Sequence, residues 1–171
     1  QSLENIRSCE DSSILLGLEG EAASVYFSVF DELILQQKDS FYFHGRNKRP
    51  PLDRVNAMLS FAYSLLAGMC GSALEGVGLD PYVGFYHADR PGRISLALDL
   101  MEELRGVMAD RFVLTMINKR VMKETHFIEK EDGAVLLNDA GRKVFLSAWQ
   151  ERKQEMIRHP FLNEKLEWGM I

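Results

Sequence analysis

Apolar residues recur at helical spacing through most of this chain. In SSILLGLEGEAASVYFSVFDELILQQ, Leu15, Leu18, Ala22, Val25, Tyr26, Val29, Phe30 and Leu33 fall on one helical stripe. They predict a first helix, with Ser12 or Ser13 as its N-cap. Residues 36–52 break the period. They are polar and aromatic and contain Pro50-Pro51, which no helix interior accepts, so they predict a linker within the domain. Asp53 can then cap a long second helix whose core face is Val55, Met58, Leu59, Ala62, Leu65, Leu66 and Met69. GLDPYVGFYHADRPGR reads as a loop with turn signals at both ends. A third helix follows from Ile94 to about Gly106, and a fourth covers Asp110 to Lys123.

The period then changes. THFIEKEDGAVLL holds two short strand-like runs around Asp132-Gly133, a favoured turn pair, and predicts a small β-hairpin. Asn138 or Asp139 caps a last helix through Arg158, with Val144, Phe145, Ala148 and Trp149 inward. The expected fold is all-α, a mainly helical bundle with one small β-hairpin, in a single helical domain over 1–171.

Composition narrows the class of protein. Its 171 residues are enough for one domain with a real core, and 46% hydrophobic with 26% charged residues is ordinary for a globular chain. No apolar run approaches the ~20 residues that cross a bilayer, and no signal peptide is visible. The chain begins with Gln and is read as a piece of something longer. Cys9 and Cys70 form neither a disulfide framework nor a metal-ligand spacing, which predicts a reducing, cytoplasmic setting. The net charge of −5 argues against coating nucleic acid through bulk charge. Its distribution is uneven: residues 1–43 carry −6, whereas HGRNKRPPLDR at 44–54 carries +3. A local basic cluster on an acidic body suits phosphate contacts at defined places, with a solvated loop as the plain alternative.

Three segments hold candidate chemistry. Glu19 has Leu15, Leu16, Ala22 and Ala23 as its helical neighbours. A carboxylate on such a face loses hydration and needs a partner, a proton or a metal. A buried acid paired with an arginine, or a frayed helix end beside Gly17 and Gly20, is the simpler reading. Asp99 and Glu102 share a helical stripe, with Arg105 one further turn along, and a solvated Glu102–Arg105 pair would explain them as well. His87 alone is more often a core or loop histidine than a ligand. Taken together, two hard carboxylates and one imidazole make a mixed oxygen–nitrogen set suited to Mn²⁺ or Mg²⁺, as phosphodiester chemistry requires.

These residues sit in segments that resemble a known family, the CRISPR-associated adaptation integrase, first of the Cas proteins (Cas one). LLGLEGEAASVYF resembles the segment bearing its first metal-binding glutamate, here Glu19. NKRPPLDRVNAMLSFAYSLL resembles the basic entry and long helix that follow, and GLDPYVGFYHADRPGRISLALDLMEELR the segment supplying the histidine, here His87, and the last acid, here Glu102. Asp99 matches a position that is often acidic and lies near the metal, and is expected either to support the ligands from behind or to be an auxiliary ligand.

The resemblance covers roughly residues 12–165 and implies an all-α catalytic domain without the β-rich N-terminal domain of the family. It also implies a divalent-metal-dependent DNA endonuclease and integrase of CRISPR adaptation. Such an enzyme inserts foreign DNA spacers into the repeat array by attack of a 3′-hydroxyl on a phosphodiester. Implied partners are double-stranded and branched DNA, the second adaptation protein (Cas two), a second copy of the full-length chain as a homodimer, and no membrane.

Among basic residues, Arg46, Lys48 and Arg49 are the first expected phosphate anchors, and Arg105 is expected to orient Glu102 or touch phosphate. Arg111, Lys119 and Arg120 are weaker choices. Phe41, Tyr42 and Phe43 are candidates for stacking on unpaired bases, against simple packing. Two rival readings remain: a helical DNA-binding or interaction module without catalytic metal, and a metal phosphohydrolase acting on small substrates.

Overall fold

The computed structural model describes residues 12–87, 90–158 and 163–170. Helix α1 is Ser12–Ser28, followed by a 3₁₀ turn at Phe30–Leu33. Cys9 and the side chains of Ser12 and Ser13 lie outside the described residues. The apolar stripe of α1 is largely outward: Val25, Val29 and Leu33 are 64, 51 and 43% exposed, while Phe30 is fully buried. Apolar residues surround this helix on nearly every side, so periodicity could not choose the buried face. Its C-terminal end is held by aromatic packing among Tyr26, Phe27, Phe30 and Phe43, with ring centroids 4.9–5.7 Å apart.

Residues 34–53 form an irregular strap tied down at many points. The amides of Leu35 and Gln36 donate to Asn118 Oδ1, and Gln37 Nε2 donates to the carbonyls of Ile117 and Met122. Phe41 and Phe43 are core residues at 0 and 3% exposure, which decides for packing over base stacking at these two positions. Alternate residues of an extended segment point opposite ways. Tyr42 therefore remains outside, stacked on His44 at 5.1 Å.

Helix α2 (Arg54–Gly76) starts where expected: the Asp53 side chain accepts the Asn56 amide at 2.7 Å. At 23 residues this helix is long and apolar enough to cross a bilayer by length and composition, which corrects the expectation that no segment is. Here its apolar residues Val55, Met58, Leu59, Ala62 and Leu66 are consumed by the core. Helix α3 (Ser95–Leu104) runs through a π-helical turn, Arg105–Asp110, into α4 (Arg111–Asn118), and all three pack on α2. Helix α4 stops five residues before the expected end because Asn118 is spent on the strap and Arg120 turns left-handed, φ 57°. That reversal returns Met122 to the core.

Strands β1 (Phe127–Glu129) and β2 (Val135–Leu137) form the expected antiparallel hairpin, with Gly133 at φ 80° in its turn. Asn138 caps α5 (Asp139–Gln154), whose Phe145 and Trp149 meet Phe112 edge-on at 5.2 Å. Helix α5 ends before the expected Arg158. Past Trp149 the next turn brings Arg152 and Lys153 to that face, and the apolar Met156 and Ile157 beyond them are drawn into a strand. Instead β3 (Met156–Arg158) pairs with β4 (Lys165–Glu167), a second short hairpin that periodicity did not reveal.

Candidate metal and nucleic-acid site

The loop before α3 is shaped by a single carboxylate. Asp99 accepts the amides of Phe85 (2.7 Å), Tyr86 (2.8 Å) and His87 (2.9 Å), and also the His87 ring Nδ1 at 2.5 Å. A neutral ring that donates from Nδ1 to this carboxylate carries its lone pair on Nε2, the tautomer a metal ligand needs. Gly84 allows the loop to close: a Cβ there would lie 2.3 Å from the His87 carbonyl oxygen and 2.6 Å from Ser95 Cβ. Of the two roles expected for Asp99, support behind the ligands or auxiliary ligand, its contacts suit the first: Oδ1 is taken by the His87 amide and ring, and Oδ2 by the amides of Phe85 and Tyr86.

Burial alone would raise the Asp99 pKa, but the hydrogen bonds from Tyr86, His87 and Phe85 outweigh it and bring it below the usual range. A depressed carboxyl contributes stability above its unfolded value, near ~3.9, and loses it as pH falls through the lower folded value. Acid unfolding below about pH 4 is therefore expected to be steeper for wild type than for Asp99→Asn. Equal slopes in urea titrations across pH 2–5 would remove Asp99 from that role.

Glu19 projects from α1, whose outer end leans over this loop, and its Oε2 accepts the Tyr86 hydroxyl at 3.1 Å. Burial and that contact push the Tyr86 hydroxyl up to about 12. Glu102, on α3, holds Arg105 at 2.7 Å. Its carboxyl is raised chiefly by burial, opposed by Arg105, raised further by Glu19, and opposed again by His87 and Lys48. Glu19, Glu102 and His87 thus line one cavity of about 1650 Å³, together with His44, Lys48, Arg49 and Arg105. Among the described residues no three His, Cys, Asp or Glu side chains already sit as a metal-holding group. The donor chemistry fits a hard divalent ion all the same: two carboxylates on one cavity, one of them raised by burial, and an imidazole oriented through Nδ1 by Asp99. Closing the set requires Glu102 to turn from Arg105.

The basic wall divides by role. Lys48 and Arg49 are exposed on the cavity rim. Arg46 is mostly committed inward, donating to the Asn47 carbonyl, Asn56 Oδ1 and Ser60 Oγ at 2.5, 2.7 and 3.0 Å. Arg90 and Arg93, on the same cavity, were missed, although they flank the Pro91-Gly92 turn directly after His87. Arg111 and Lys119 line a second groove of about 860 Å³ that shares Glu19, Glu102 and Arg105 with the larger cavity, and Arg120 donates to Gln36. Also unforeseen is a buried polar pair, Tyr63 and Asp110, joined at 2.6 Å. Tyr63 falls between the expected core positions of α2, and no local pattern marked it.

Known proteins resemble this chain along most of its length. The family described as CRISPR associated protein Cas1 matches residues 1–151. A CRISPR-associated endonuclease Cas1 of Rhodospirillum rubrum is 58% identical over 96% of the chain and 48% of its own length. A casposase bound to integration product superposes with a TM-score of 0.88 at 28% identity, over 99% of this chain and 47% of that one. A partial Cas6-RT-Cas1–Cas2 complex gives 0.79 at 25% identity, over 90% and 46%. The chain spans about half the length of curated relatives that it matches at 47–58% identity.

Proposed function

This chain belongs to the CRISPR-associated Cas1 family, and from that premise we propose that it is the catalytic part of a divalent-metal-dependent DNA endonuclease and integrase. The observation that carries the reading is the cavity bordered by Glu19, His87 and Glu102 on three separate segments, with cations on its rim. Those three residues would hold Mn²⁺ or Mg²⁺, and Asp99 supports the set by fixing the imidazole. The bound ion would neutralise charge developing on the phosphoryl oxygens and activate the attacking oxygen. Lys48 and Arg49, joined by Arg90 and Arg93, grip the phosphates on either side of the scissile bond without reading bases. Arg105 balances Glu102 before the ion arrives. In the complete protein the substrates are double-stranded and branched DNA. The reaction is attack of a 3′-hydroxyl on the repeat array, in the cytoplasm. A homodimer acting with Cas2 is the working assembly, in keeping with the Cas1–Cas2 complex among the structural neighbours.

The Mn²⁺ ion reports on this directly. Titrating it should broaden the His87 ring resonances in the wild type and leave them sharp in Glu19→Gln; no broadening in either defeats the metal assignment. The Glu102–Arg105 ion pair favours one rival, a DNA-binding module whose acids are structural. That reading predicts DNA binding indifferent to Mn²⁺. For the phosphate grip, Lys48→Ala and Arg49→Ala should each flatten the salt dependence of log K by about one unit, equally on all sequences. An unchanged slope would move the DNA path elsewhere.

A further inference from the structure

Arg105 and Asp110 mark the two ends of the π-helical turn, and both reach the same tyrosine. The Arg105 guanidinium lies 5.8 Å from the Tyr63 ring centroid while donating to Glu102 at 2.7 Å. The Tyr63 hydroxyl donates to Asp110 Oδ1 at 2.6 Å, and Asp110 is 1% exposed. Arg46 packs over the same ring at 5.2 Å, held in turn by Asn56 and Ser60.

In an α-helix two residues five apart point roughly 140° away from each other. An i→i+5 turn closes most of that angle, and such turns are rare outside sites that use them. The π turn therefore explains how one ring can receive a guanidinium from residue 105 while its hydroxyl meets a carboxylate from residue 110. The arrangement also accounts for the residue types. A phenylalanine would lose the tie to Asp110, and a lysine at 105 would lack the flat cation that lies on a ring.

We propose that Tyr63 is a positioning residue: anchored by Asp110, it is the platform that keeps Arg105 in place beside Glu102, so that this carboxylate faces the larger cavity and can exchange its guanidinium for a divalent cation. The role of Glu102 in this statement rests on the metal reading above. Without the ring, Arg105 loses its flat support and Glu102 is the carboxylate it still touches. Arg105 then competes with the incoming ion, and the carboxylate loses its fixed direction. Both effects weaken metal binding.

The test is a double-mutant cycle in the intact protein, read by Mn²⁺ affinity. Tyr63→Leu is expected to weaken binding about tenfold in the wild-type background, and by less than about twofold when Arg105 is already alanine. Tenfold losses in both backgrounds would make Tyr63 merely structural, and no loss in the first would overturn the proposal outright. Should the leucine variant fail to fold, Tyr63→Phe carries the same cycle, with about a threefold loss confined to the Arg105 background. A second readout needs no metal. The Arg105 Nε–H resonance of the free protein should carry a ring-current shift that Tyr63→Leu removes, and an unshifted resonance in the wild type would also sink the idea. If Mn²⁺ binding instead survives Glu19→Gln, the metal reading fails by itself, and the resonance still judges the platform.

Discussion

His87→Ala is expected to lower Mn²⁺-dependent DNA cleavage by the complete protein about a thousandfold, with helix content unchanged. The size follows from the chemistry lost. A coordinated ion supplies several kcal/mol of transition-state stabilisation, and about 4 kcal/mol corresponds to that factor. The fold should survive because Asp99 still receives the amides of Phe85 and Tyr86, and the core lies beneath α3 rather than in the loop. Glu19→Ala should match it in activity and in stability, since α1 exposes this part of its surface to the cavity. Cleavage within tenfold of wild type in both variants would show that the three segments do not share an ion.

The second large effect lies at a residue with no side chain. Gly84→Ala would set a methyl 2.3 Å from the His87 carbonyl oxygen and 2.6 Å from Ser95 Cβ. Neither neighbour yields cheaply: one is backbone, and Ser95 is fully buried at the start of α3. The loop must therefore shift by most of an ångström, and His87 with it. Displacements of that size at a reacting centre cost on the order of a hundredfold in rate. The strain itself should cost about 1–3 kcal/mol in urea unfolding. The informative comparison is with Gly92→Ala on the same loop, where nothing lies within 4 Å of an added Cβ but φ is +75°. That change strains the backbone without reaching His87 directly. Equal activity losses in the two variants would argue that the loop tolerates no change at all, rather than that Gly84 sets the histidine.

Where sequence reading succeeded, it did so on local signals. Asp53 and Asn138 cap helices because a short acceptor before a helical run has one good use. Asp132-Gly133 turns a hairpin because glycine accepts the positive φ the turn imposes. His87, Asp99 and Glu102 drew attention as polar groups in apolar company, and the cavity does gather His87 and Glu102 with Glu19. The remaining cases share a different cause. Arg46 was expected as a phosphate anchor in a basic run; it does line the cavity, but Nη1 and Nη2 are held by Asn47, Asn56 and Ser60. Phe41 and Phe43 had base stacking and packing both open, and are core. Asp99 had two open roles, ligand or support, and its oxygens are taken by the histidine loop. A side chain's type states what it is able to bind, and its neighbours in space decide which of those options is taken.

The order of helices, the caps, the hairpin turn and the presence of two acids and an imidazole in apolar surroundings were all determined by the sequence alone, because each depends on contacts within a few residues. Only the tertiary structure decided that α1 turns its apolar stripe outward, that a π turn brings Arg105 and Asp110 to one tyrosine, and that Asp99 spends both oxygens on the histidine loop. Those outcomes are set by which distant surfaces win the competition for burial and hydrogen bonds, and that competition is settled by the packed chain as a whole.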